Sequence, residues 1–148
     1  MPVNEPLTVL VKYHCAALPP LEKLPQGDWV DLRAAEDVSL KAGDHYYVSL
    51  GISVRLPEGY ELWIAPRSST FRNFGVLQPN SPAIVDESYS SDEDVLRYPV
   101  LAMRDTEIHV GDRLCQCRLM PHQSELRFEA VESLGHKARG GFGSTGIK

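Results

Sequence analysis

The sequence predicts an all-β fold, a sandwich or a closed barrel, on three observations. Apolar residues alternate with polar ones over short runs, turn signals recur every eight to twelve residues, and stretches able to form a long helix are scarce. Leu7 to Tyr13 (LTVLVKY) is apolar and partly alternating. Tyr46 to Leu56 (YYVSLGISVRL) alternates on both sides of Gly51. It stops at Pro57-Glu58-Gly59, and Tyr60 to Ala65 (YELWIA) follows at once. A proline and a glycine between two such runs predict a hairpin. Val95 to Met103, Arg113 to Met120 (RLCQCRLM) and Leu126 to Val131 (LRFEAV) complete the strands. The turns between runs fall at Gly27-Asp28, Ala42-Gly43-Asp44, Gly111-Asp112 and Pro121-His122. One short helical turn is expected at Ser69 to Phe74, capped by Ser68 or Ser69 and ended by Gly75 in the left-handed conformation. Eleven prolines disfavour anything longer.

A chain of 148 residues, 43% hydrophobic and 24% charged, suits one domain with a real core. That domain is expected over residues 1–134. Residues 135–148 form a separate arm, with five glycines in fourteen residues and no apolar pattern, expected to be mobile unless something orders it. No apolar run reaches the length of a membrane span, and Met1 to Pro6 has no signal-peptide pattern, so the expected location is the cytoplasm. A net charge of −5 argues against direct nucleic-acid binding, which needs a basic footprint. It leaves room for a phosphate ligand held by local cations, backbone N–H groups or a metal. Cys15, Cys115 and Cys117 make no disulfide framework. Cys115 and Cys117 point the same way on a strand and read, like Cys15, as reduced core thiols. The histidines (His14, His45, His109, His122 and His136) have no zinc-ligand spacing, and none is assigned to a metal.

Four segments could carry chemistry. The arm contains Arg139-Gly140-Gly141-Phe142-Gly143-Ser144-Thr145-Gly146. Glycines let a backbone approach a ligand, and successive N–H groups can form an anion nest, to which Ser144, Thr145 and the Arg139 fork add donors. Gly141 to Gly146 matches the letters G-x-G-x-x-G. That dinucleotide fingerprint needs a strand before it and a helix after it, and only two residues follow; nor is there a Walker Lys-Ser/Thr pair. By composition the arm could equally be a flexible end. The second segment, Pro66-Arg67-Ser68-Ser69-Thr70, runs from a strand into a helix N-terminus, a natural phosphate seat, although an ordinary capped turn would look the same. In the third, Asn80 to Tyr89 (NSPAIVDESY), Asp86 follows an apolar run, which places its carboxylate at the end of a buried strand, able to orient and deprotonate a water. Asp92, Glu93 and Asp94 beyond it read as a solvated acidic loop. The fourth is Gly111 to Gln116, where Gln116 points opposite to the flanking cysteines.

In order, these segments resemble the five motifs of the trimeric dUTPase family, over about residues 27–146. Gly27 to Ala35 (GDWVDLRAA) supplies the first motif and Pro66-Arg67-Ser68-Ser69 the second. Asn80 to Tyr89, Gly111 to Gln116 and Arg139 to Gly146 follow. The first motif and Arg104-Asp105-Thr106 are most similar to enzymes of Gram-positive bacteria and their phages. The resemblance implies a jelly-roll β-barrel with little helix, assembled as a homotrimer. Each site would be shared among three subunits, with the arm of one closing over a site formed by the other two. It implies hydrolysis of dUTP to dUMP and pyrophosphate, which limits uracil in DNA and supplies dUMP for thymidylate synthesis. Asp86 would orient the attacking water. Arg67, Ser68 and Ser69 would hold phosphates with Gln116 close by, and Asp31 would reach a Mg²⁺ ion through water. Arg139, Gly143, Ser144 and Thr145 would clamp the outer phosphates and Phe142 would cover the uracil. The hairpin, through Asn80 and the backbone of Ile84 and Val85, would read the uracil edge. Tyr89 would stack on the sugar and exclude a 2′-hydroxyl.

Two departures stand out. Ala83 and Ser91 replace usual glycines, which would add strain wherever φ must be positive. The alternatives are a dCTP deaminase of the same fold, which shares an Arg-Ser-Ser stretch, and a phage-type enzyme that also grips a regulatory protein, with the acidic loop Ser90 to Tyr98 as a candidate surface.

Overall fold

A computed structural model describes residues 5–141. In chain order its elements are β1 (Leu10–Tyr13), β2 (Val30–Arg33), β3 (Val38–Leu40), β4 (His45–Ser49), β5 (Ile52–Arg55), β6 (Tyr60–Pro66), α1 (Thr70–Phe74), β7 (Val76–Leu77), β8 (Ala83–Val85), β9 (Arg97–Ala102), β10 (Thr106–Ile108) and β11 (Arg113–Pro121). The fold is mostly β, as the alternation and turn spacing predict. The strands form four antiparallel sheets, in the orders β2-β11-β6-β8, β4-β9-β7, β1-β5 and β10-β3. Among the described residues these ladders do not join into one continuous ring. No described helix is long and apolar enough to cross a membrane.

One core lies between the sheets, because each strand sends alternate side chains inward. Leu32 of β2, Ile64 of β6, Tyr98 and Val100 of β9, and Cys115 of β11 are buried together there. Gly51 separates β4 from β5. Its φ is +70°, and a Cβ there would lie 2.6 Å from the Ala35 Cβ, so only glycine fits the bend. The Tyr46–Leu56 run is therefore two strands in two sheets.

Four sequence expectations need correction. Pro57-Glu58-Gly59 does form a tight turn, with the Tyr60 N–H donating to the Pro57 carbonyl at 3.2 Å. It is not a hairpin: β5 pairs with β1, while β6 pairs with β11 and β8. Leu126 to Val131 is not a strand. The chain leaves the sheet after Pro121, no described strand pairs with it, and Phe128 is 89% exposed. Helix α1 ends as expected, on Gly75 with φ of +63°, but neither serine caps its start through the side chain. Thr70 does the tying instead, as described below. Cys15 is only half-buried, unlike Cys115 and Cys117, because it sits in the loop after β1.

Candidate active site

The first cluster of site residues lies at one end of the four-stranded sheet. Inward-facing Leu32, Ile64, Cys115 and Cys117 force the alternate residues outward, and the register sets Gln116 opposite both Asp31 and Ala65. Arg67 follows the last residue of β6. Its Nε donates to Asp31 Oδ1 at 3.0 Å, and Arg113 Nε lies 3.9 Å from the other carboxylate oxygen. Arg67 Nη1 also reaches Ser69 Oγ and the Arg113 carbonyl, both at 3.4 Å. Gln116 Nε2 donates to the Pro66 carbonyl at 3.1 Å, and Ser68 is exposed. Asp31, Arg67, Ser69 and Gln116 thus share one half-exposed patch. It offers a guanidinium oriented by a carboxylate, with hydroxyls beside it, which suits phosphate oxygens.

Thr70 braces this patch; the sequence placed it in the Pro66–Thr70 segment but gave it no role of its own. Its Oγ1 accepts from the Arg67 N–H at 2.7 Å and donates to the Leu114 carbonyl at 2.9 Å. At 1% exposure it is the buried polar bolt between the helix start and β11. Beneath the patch, burial pushes the Cys117 thiol up to about 12, helped by the Asp31 charge. Burial also pushes the Cys115 thiol well above its ordinary value, with Cys117 and Asp31 adding to it. Neither thiol is a nucleophile at neutral pH.

The second cluster surrounds β8. Ala83 faces the core, Ile84 faces solvent and Val85 is half-buried. With Asn80, Asp86 and Tyr89 they line an open groove of ≈ 520 Å³. Asn80 is held through its backbone: the buried Gln78 Nε2 donates both to the Asn80 carbonyl and to the Ile64 carbonyl, the latter at 2.9 Å. Gln78 is another residue the sequence reading passed over, because nothing local marks it. The Tyr89 hydroxyl donates to the Val95 carbonyl at 3.0 Å.

Asp86 corrects an expectation. It stands at the end of β8 as read, but β8 is an edge strand of three residues and the carboxylate is exposed. Ser88 shapes it: both the Ser88 hydroxyl and the Ser88 N–H, the latter at 2.9 Å, donate to Asp86 Oδ2. The hydroxyl bond is the larger cause of a carboxyl held below its ordinary range. The amide bond comes next, and slight desolvation opposes both. Neither departure from glycine is strained, since no described non-glycine residue has a positive φ. Ala83 pairs with Ile64 inside the sheet, and Ser91 closes a turn with Asp94.

Asp86 and Arg67 do not meet within one chain. Leu62 pairs with Val85, so the register continued by one residue sets Asp86 opposite Glu61; Arg67 lies six residues further, about 20 Å along a strand. Arg139 is exposed, and Phe142, Gly143, Ser144 and Thr145 lie outside the described residues. Among the described residues no three His, Cys, Asp or Glu side chains converge as a metal site.

The fold thus carries an arginine-carboxylate-hydroxyl patch of a kind that suits phosphate oxygens, and an aspartate in an open groove. Comparison with known proteins gives the family. The dUTPase family model matches residues 27–146. An SPbeta prophage-derived deoxyuridine 5′-triphosphate nucleotidohydrolase of Bacillus subtilis is 47% identical over 142 residues, covering 96% of this chain and 100% of that protein. The solved dUTPase of Staphylococcus bacteriophage 80alpha with dUPNHPP superposes with a TM-score of 0.76 at 20% identity, covering 95% of this chain and 99% of that one. The dUTPase of phage phi11 of S. aureus, solved for the coordination of a structural Mg(II) ion, gives 0.71 at 16% identity over 87% of this chain and 99% of that one. The chain belongs to the dUTPase family, and it is an enzyme of that family.

Proposed function

We propose that this chain hydrolyses dUTP to dUMP and pyrophosphate in a site shared between subunits of a homotrimer of jelly-roll subunits. The observation that carries the reading is the gathering of Asp31, Arg67, Ser69 and Gln116, from three of the family motifs, into one patch. Their separation from Asp86 by about 20 Å of strand supports the shared site, because a substrate that needs both clusters must take them from different chains.

In this reading Arg67, Ser68 and Ser69 hold the phosphates, with Gln116 beside them. Asp86 orients a water and takes its proton as the water oxygen bonds to the α-phosphorus. The bond from that phosphorus to the α-β bridging oxygen breaks, and pyrophosphate leaves with the electron pair. Asn80 and the Ile84 and Val85 backbone read the uracil edge, and Tyr89 lies against the deoxyribose. The arm, through Arg139, Phe142, Gly143, Ser144 and Thr145, completes the clamp.

Mg²⁺ fits this donor set in a limited way. Asp31 points one oxygen at Arg67 and the other toward Arg113, so its carboxylate suits a hydrated ion better than direct ligation. When bound, the ion would screen charge among the three phosphates. The rival deaminase reading has no support from the family match. The protein-docking reading is supported less than catalysis, since in the acidic loop Asp92 is paired with Lys12 and Asp94 with the Ser91 amide. The decisive experiment is pyrophosphate release from dUTP, dCTP, dTTP and UTP, with and without Mg²⁺. The reading expects release from dUTP alone at an appreciable rate; uridine nucleotide formed from dCTP would overturn it.

A further inference from the structure

One buried hydroxyl ties the loop after Asp86 to the strand beneath it. Ser53 lies in β5 and is 4% exposed, among the few buried polar side chains described. Its Oγ donates to the Asp92 carbonyl at 3.1 Å and lies 2.8 Å from His14 Nε2. A serine hydroxyl has a single proton. With that proton directed at Asp92, Ser53 Oγ is left to accept from His14 in its Nε2-protonated tautomer. Lys12, the cross-strand partner of Ser53, sets Nζ 3.2 Å from Asp92 Oδ2. Ile52, the neighbour of Ser53, accepts from the Leu96 N–H at 2.8 Å. Adjacent residues of β5 therefore hold the loop at both ends, Asp92 and Leu96. Between them Val95 presents the carbonyl that receives the Tyr89 hydroxyl at 3.0 Å.

We propose that Ser53, oriented by His14, is a positioning residue for sugar selection. It fixes the level of loop 92–96, hence the Val95 carbonyl, hence the Tyr89 ring. The proposal rests on the reading above that Tyr89 lies against the deoxyribose. Rejecting a ribose for one added hydroxyl is a steric task, and a ring that can retreat performs it poorly. The Lys12–Asp92 ion pair is exposed and contributes little to holding the loop. The Ser53 hydroxyl is buried, and its loss leaves the Asp92 carbonyl without that donor.

The test compares kcat and KM for dUTP and UTP in the full-length enzyme and in S53A, H14A and Y89A, with melting temperatures alongside. For S53A the expected result is dUTP kcat within about twofold of the parent, a raised KM, and a dUTP-to-UTP preference lowered about fivefold. H14A, at an exposed position, should lower the preference about twofold. An unchanged preference in S53A and H14A, with a lowered one in Y89A, would overturn the role of Ser53 and leave Tyr89 standing. An unchanged preference in Y89A would overturn both. Should S53A fail to fold, H14A decides: an unchanged preference there overturns the proposal.

Discussion

Replacing Gly75 with alanine tests how the C-terminal end of α1 is held in place. Gly75 ends α1 with φ of +63°, and an added Cβ would lie 2.6 Å from both Cγ and Nε of Arg104 and 2.9 Å from its Cδ. These atoms run along the middle of the side chain, so the whole arginine must move. Arg104 Nη2 donates to the Arg72 and Asn73 carbonyls at 3.1 and 3.2 Å, two of the carbonyls in the last turn of the helix. The left-handed conformation costs alanine about 1–2 kcal/mol. Losing two exposed hydrogen bonds adds about 1 kcal/mol. Gly75→Ala should therefore cost about 2–3 kcal/mol, or roughly 5–10 °C in Tm at fixed protein concentration. Arg104→Ala alone should cost about 1 kcal/mol. The double variant should cost no more than Gly75→Ala, because the arginine contacts are already lost in it, leaving a coupling of about 1 kcal/mol. Urea unfolding of the four proteins measures the cycle. Strict additivity would refute the reasoning, since it would mean that Arg104 keeps its carbonyls when a methyl occupies its place.

Asp86→Asn should lower kcat roughly 10²- to 10⁴-fold with little change in Tm, since the side chain is exposed; normal pyrophosphate release would remove Asp86 from the base role. Because Ser88 holds the Asp86 carboxyl below its ordinary range, the ionised form persists as pH falls through the ordinary carboxylate value and is lost only lower. Ser88→Ala should release that depression and move the acid limb of kcat/KM to higher pH, and an unmoved limb would count against it. Thr70→Val, which keeps shape and removes the hydroxyl, should destabilise by about 1–3 kcal/mol and raise KM for dUTP, because it unties Arg67 from β11; an unchanged KM would show that the bolt serves stability alone. Removing residues 139–148 should abolish turnover while leaving the melting curve unmoved, and near-normal rates would exclude the arm from the site.

How much of this was legible follows from the length of each signal. Strands β6, β9 and β11 span six to nine residues, enough for alternation to show. Strands β2, β3, β7 and β10 have two to four residues and carry no readable period. The turn at Pro57-Glu58-Gly59 looks the same whether the next strand pairs with the last or leaves for another sheet, so the hairpin was misread. The motifs could be placed in order along the chain, and the structure brings Asp31, Arg67 and Gln116 together as that order suggests. The gap between Asp86 and Arg67 was not legible, because it depends on the β6–β8 register. Nor were the ties made by Ser53, Gln78 and Glu87 (whose carboxylate accepts from the Gly59 N–H), which join residues far apart in sequence.

The span of β6 between Asp86 and Arg67 has a genetic consequence. If no chain can serve a substrate alone, an allele lacking Asp86 and an allele lacking Arg67 carry complementary lesions. Coexpressed, they should regain part of the activity that each lacks, because some mixed assemblies bring an intact Asp86 to an intact Arg67. On the same condition one damaged allele would be partly dominant, since its product would spoil sites that healthy chains help to build.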